Sequence, residues 1–135
     1  MTQEDRELLL KDLCARLPYG VKCYEADVEY AFDIIGTTSN NKEFVFSDGY
    51  ERNLEQIKPY LRPMSSMTDE EREEYRKFSY YGAAGVRPYT HGDFVAAPSF
   101  EKMDYLNSHH FDYRGLIEKG LALKAPEGMY NIKEQ

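Results

Sequence analysis

From Val21 to Gly49 the chain is cut into short apolar segments by clusters of turn-forming residues, and this punctuation restricts it to brief strands joined locally. The clearest segment runs from Glu29 to Thr37, where Tyr30, Phe32 and Ile34 alternate with Ala31, Asp33 and Ile35, the two-residue period of a strand with one buried face. Val21 to Tyr24 precedes it and Glu43 to Phe46 follows. Gly36 through Asn41 and Ser47-Asp48-Gly49 supply turn chemistry on either side, so these strands most simply form an antiparallel meander. A fourth strand is expected between Arg52 and Ile57, ending near Pro59, which has no backbone N–H to give to a ladder.

Helices flank this region. Thr2 with Asp5 predicts an N-terminal cap, after which Leu9, Leu10, Leu13, Cys14 and Leu17 fall on one face until Pro18 and Gly20 end the helix. Pro59 and Pro63 bracket a connector into the second half. Thr68 and Glu71 form a capping box for a helix from Asp69 to about Phe78 with a thin apolar face, Tyr75 and Phe78 with Met67. Ser99 is placed to cap a last helix to about His109, turning Phe100, Met103, Tyr105 and Leu106 inward. Short helical turns punctuated by Gly115 and Gly120 are expected from Phe111 to Leu123. The fold class read from this pattern is α+β: an N-terminal helix, a small antiparallel sheet of three to five strands, and C-terminal helices around one core, in a single domain spanning 1–135.

A chain of 135 residues buries enough surface for one core without a metal or disulfide staple. Its net charge of -7, with Lys and Arg interleaved among Asp and Glu, argues against a sequence-independent grip on nucleic acid, which comes from basic residues displacing counterions from phosphates. The acidic N-terminus has no signal-peptide core, and no stretch approaches the ~20 apolar residues of a membrane span, so cytoplasmic residence without membrane contact is expected. Cys14 and Cys23 then read as reduced thiols, buried as small hydrophobes.

Motifs that carry chemistry are weak. His109 and His110 are adjacent, and neighbours on a helix point about 100° apart, so they do not comfortably share a metal. A His/Asp site would need His91 and Asp93 to converge with one of them; surface or hydrogen-bonded histidines are the simpler reading, and no metal or cofactor is expected. Gly82-Ala83-Ala84-Gly85 lacks the Lys-Ser/Thr of a phosphate loop. The acidic run Asp69-Glu70-Glu71 with Glu73 and Glu74 reads as a solvated helix face offset by Arg72, Arg76 and Lys77.

Three segments are similar to a family of uncharacterised short proteins that recur in gut anaerobic bacteria and their prophages. They are Lys11 to Gly20 (KDLCARLPYG), Leu61 to Thr68 (LRPMSSMT) and Phe111 to Ile117 (FDYRGLI). With the tail from Glu118 to Asn131 the resemblance covers about a third of the chain. It implies a cytoplasmic protein of mobile-element origin and assigns no activity, so no functional residue is carried over from it.

The stretch from Ser79 to Pro98 shows no sustained period, and structureless segments of more than about 12 to 15 residues are usually functional or disordered. Tyr80, Tyr81, Arg87, Tyr89, His91 and Phe94 give it the aromatic and cationic mixture that interfaces favour, with Gly82, Gly85 and Gly92 for adaptability. These six are the candidate binding residues. The expected function is a non-enzymatic binding or regulatory module with a protein partner. A small enzyme using His91, Asp93 and Tyr89 is the first alternative, and an acidic antagonist of a DNA-binding protein the second.

Overall fold

The computed structural model describes residues 1–26, 28, 30–38, 43–78 and 100–130. Helix α1 (Gln3–Arg16) starts at the expected capping box, with the Thr2 side-chain oxygen accepting from the Asp5 N–H at 3.0 Å. Its inward face is Leu9, Asp12, Leu13 and Arg16, at three- and four-residue spacing. Cys14, expected inside beside Leu13, is exposed, because one further residue turns a helical side chain about 100° off that face. Cys23 is fully buried, and burial pushes its thiol pKa far above the usual range. Native protein should therefore show one thiol, Cys14, to a thiol reagent and a second only after unfolding. Two fast-reacting native thiols would contradict this packing.

Strands β1 (Lys22–Glu25), β2 (Phe32–Thr37), β3 (Glu43–Phe46) and β4 (Glu51–Asn53) form the antiparallel meander. Strand β5 (Ile57–Pro63) returns to pair antiparallel with β1. Two brief strands, β6 (Phe111–Asp112) and β7 (Leu123–Lys124), run parallel to β5, so the sheet has seven strands in the order β4-β3-β2-β1-β5-β6 with β7 also on β5. This is an α+β fold with a mixed sheet somewhat larger than the three to five antiparallel strands read from the sequence. Strand β5 continues through Pro59, which pairs in register with Cys23. On the side away from β1 its partners begin only at Tyr60, so the missing N–H of Pro59 costs no ladder bond there.

The alternation in β2 and β3 places Phe32, Ile34, Phe44 and Phe46 inside with Leu9 and Leu13 of α1, while Ile35 is 62% exposed. A second, smaller cluster joins Tyr105, Leu106 and Phe111 to Met67, Tyr75 and Phe78. It links α2 (Asp69–Lys77), which carries the expected Thr68/Glu71 capping box, to α3 (Phe100–Ser108). Within α3 the buried positions are Lys102, Tyr105, Leu106 and Asn107. Phe100, expected in the core, is 85% exposed, since it stands two residues before Lys102 and so on the opposite side of the helix. The expected helical turns after Phe111 are present between Gly115 and Gly120, where the Lys119 N–H donates to the Gly115 carbonyl at 3.2 Å and the Gly120 N–H to the Ile117 carbonyl at 3.0 Å, but they are flanked by the strands β6 and β7. The Asp112 carboxylate accepts from the Leu116 and Ile117 N–H groups at 2.9 and 3.0 Å and holds the turn. Among the described residues no helix is long and apolar enough to cross a membrane.

Candidate functional site

Strand β5 ends at Pro63, α2 starts at Asp69, and the segment after β7 passes close to both. Between them lies a cleft of about 780 Å³. Thr68, Glu70 and Glu74 line it from α2, Lys124, Glu127 and Tyr130 from the C-terminal segment, and Arg62 with Glu71 form its most buried part. That volume lies within the range of preformed ligand sites.

Arg62 and Glu71 make a bidentate pair, with Nη1 donating to Oε2 and Nη2 to Oε1, both at 2.7 Å. Arg62 Nη2 also donates to the Ser66 carbonyl at 3.2 Å, and the guanidinium sits 4.2 Å from the centroid of the Phe111 ring. Burial alone would raise the Glu71 pKa; the Arg62 hydrogen bonds and the Thr68 backbone outweigh it and bring the carboxyl down to about 2. Glu71 is thus a structural anion whose charge is already matched. Around it Glu70, Glu74 and Glu127 are exposed and form no ion pair among the described residues, and a single cation, Lys124, faces them. The cleft rim carries net negative charge.

Tyr130 turns its hydroxyl away from the cleft, accepting from the Lys22 N–H at 2.9 Å and donating to the Tyr60 carbonyl at 2.7 Å. Burial lifts its pKa well above the usual tyrosine range. The ring stacks on His110, with centroids 3.7 Å apart. His110 has a left-handed φ of 64° and is held there from both sides: its N–H donates to the Asn107 carbonyl at 3.1 Å, and its carbonyl accepts from the Arg62 N–H at 2.7 Å. Burial first, and the positive charge of Arg16 second, push its pKa down to about 3. The adjacent His109 faces elsewhere, stacked on Tyr105 at 4.0 Å with Nδ1 3.0 Å from the Tyr105 carbonyl. Among the described residues no group of three or more His, Cys, Asp or Glu is placed to hold a metal ion.

Behind His110 lies a buried ion-pair network. Asp12 and Arg16 are both fully buried; Arg16 Nε donates to Asp12 Oδ2 at 2.7 Å, and Nη2 donates to Oδ1 at 3.1 Å and to the Phe111 carbonyl at 2.6 Å. Arg114 Nε donates to the same carboxylate at 3.2 Å. The Tyr113 ring lies 5.2 Å from the Arg16 guanidinium and 5.0 Å from that of Arg114.

The six candidate binding residues, Tyr80, Tyr81, Arg87, Tyr89, His91 and Phe94, lie outside the described residues, as does Asp93. The cleft is made of residues that sequence reasoning saw in other roles: Glu71 as a cap, Glu70 and Glu74 as a solvated face, Arg62 as part of a connector. Tyr130 enters the sequence reading only within the Glu118 to Asn131 tail, to which no role is attached. No protein family, curated protein or solved structure matches this chain.

Proposed function

We propose that this chain is a non-enzymatic binding module whose cleft between α2 and the 124–130 segment receives a basic segment of a partner protein. The observation that carries this reading is the unmatched charge of the rim: Glu70, Glu74 and Glu127 face a preformed cleft with Lys124 the one unpaired cation on it among the described residues. Opposite charge across such a rim steers encounter and fixes register more than it adds raw affinity. Non-enzymatic binding is supported by the state of the titratable groups beside the cleft. Glu71 is ionised and paired, His110 is buried and neutral near pH 7, and Tyr130 is committed to two backbone groups. None of the three is poised for proton transfer at neutral pH.

The test is calorimetric binding of an oligolysine and an oligoglutamate peptide to the full chain, at low salt and at about 0.5 M, where the Debye length is about 4 Å. Oligolysine should bind at low salt and weaken steeply in high salt. Exchanging Glu70, Glu74 and Glu127 together for Gln should weaken it by roughly 3- to 150-fold, because each rim pair contributes about 0.2–1 kcal/mol. The same exchange at Glu4, Glu7 and Glu51, exposed residues outside the cleft lining, should leave affinity nearly unchanged. Equal losses from both variants would mean the whole acidic surface binds, and the cleft reading would be wrong. The aromatic segment with Tyr80, Tyr81, Arg87, Tyr89, His91 and Phe94 is a second proposed contact surface, since α2 leads into it along the chain. If Tyr81→Ala, Arg87→Ala and Tyr89→Ala together abolish capture of a native partner while the cleft variant does not, recognition belongs to that segment instead.

A further inference from the structure

Two buried side-chain nitrogens, Arg16 Nη1 and His110 Nδ1, have no hydrogen-bond partner among the described residues. Arg16 is 0% exposed and His110 is 3% exposed, so bulk solvent does not satisfy them. They belong to one neighbourhood. Arg16 Nη2 donates to the carbonyl of Phe111, the residue after His110, and Arg16 is the charge that acts most strongly on the imidazole. An unmet buried donor carries its full desolvation cost, and a charged donor carries more than a neutral one. Such pairs of orphaned groups are where native proteins hold internal water.

We infer that one water molecule is bound between Arg16 Nη1 and His110 Nδ1. The direction of its hydrogen bonds follows from the donor inventory: a guanidinium only donates, so the water oxygen accepts from Nη1 and one of its O–H groups donates to Nδ1. With Nδ1 accepting, the ring proton resides on Nε2. Water fits better than a small anion, because Asp12 already matches the Arg16 charge through two hydrogen bonds, whereas an anion beside Nδ1 would call for a proton there. The water also has a structural consequence for the cleft. It fixes the plane and tautomer of the imidazole on which Tyr130 stacks, so it is a positioning element for the cleft wall.

The test uses the ¹⁵N-labelled full chain at neutral pH, with the His110 signals identified by their disappearance in His110→Asn. Long-range ¹H–¹⁵N correlations should show Nε2 protonated and Nδ1 unprotonated with the shift of a hydrogen-bond acceptor. A water cross-peak of long residence time should appear at the His110 ring protons. Replacing chloride by sulfate should move neither. Arg16→Lys, which keeps the charge and removes Nη1, should shift the Nδ1 resonance toward that of an unbonded imidazole nitrogen. A protonated Nδ1, the lack of a long-lived water, or a chloride-dependent His110 signal would each overturn the inference. The wild-type spectra decide it even if Arg16→Lys does not fold.

Discussion

Arg16→Met is expected to destabilise the protein by about 3–5 kcal/mol, the cost of breaking a buried ion pair from one side. Methionine retains an apolar stem but leaves the Asp12 carboxylate fully buried with Arg114 Nε, 3.2 Å away, as its one charged partner among the described residues. It also strips the Phe111 carbonyl of its 2.6 Å donor at the start of β6. For a domain of this size each kcal/mol corresponds to roughly 3–5 °C, so the melting temperature should fall by about 10–25 °C. Asp12→Leu combined with Arg16→Met separates the mechanism from simple loss of packing. If the uncompensated charge is the main cost, the double variant is more stable than Arg16→Met alone, since buried pairs are often replaced by apolar residues at little cost. A loss under 1 kcal/mol for Arg16→Met, or a double variant less stable than the single, would show that the pair does not anchor α1.

That pair also shows where sequence reading ends. Asp12 and Arg16 stand four residues apart, which on a helix reads as a solvated surface pair. Their burial is a tertiary fact: Phe111 and Arg114, nearly a hundred residues on, come to lie against them. Local signals did their work where the physics is local. The Thr2 and Thr68 capping boxes, the strand period through Phe32 and Ile34, and the turn at Ser47-Asp48-Gly49 are each settled by neighbours within a few residues. The parallel strands β6 and β7 escaped because two-residue strands have no period to read; their pairing depends on where β5 already lies. Hydrophobicity alone puts Phe100 inside, yet the helix phase is set by Tyr105 and Leu106. The cleft was illegible for the same reason as the ion pair: Arg62, Glu71 and Tyr130 converge only after β5, α2 and the C-terminal segment have docked.

Stability should fall steadily as pH drops from about 6.5 toward 3, and His110 should account for the upper part of that loss. Its pKa in the folded protein is about 3 against an ordinary value of 6.5, so between those limits the unfolded chain binds a proton that the folded protein refuses. The contribution is fully present above pH 6.5 and is lost as pH falls toward 3, amounting to about 4 kcal/mol by the lower limit. Glu71, brought from 4.5 to about 2, behaves with the same sign over a lower window: its stabilisation holds above 4.5 and is lost toward 2. The two limbs overlap between 4.5 and 3, where the slope of stability against pH should be steepest. Urea midpoints measured across this range, with the denaturant slope checked for constancy, give the curve directly. His110→Asn tests the assignment, because Asn tolerates the left-handed φ of 64° and does not titrate. The variant should be nearly flat from pH 6.5 to 4.5 and then fall with Glu71. Glu71→Gln should do the reverse, keeping the decline from 6.5 and losing part of the steepening below 4.5. A wild-type curve already flat from 6.5 to 4.5 would mean that His110 accepts its proton in place, and that the imidazole stacked on Tyr130 is not closed off from solvent.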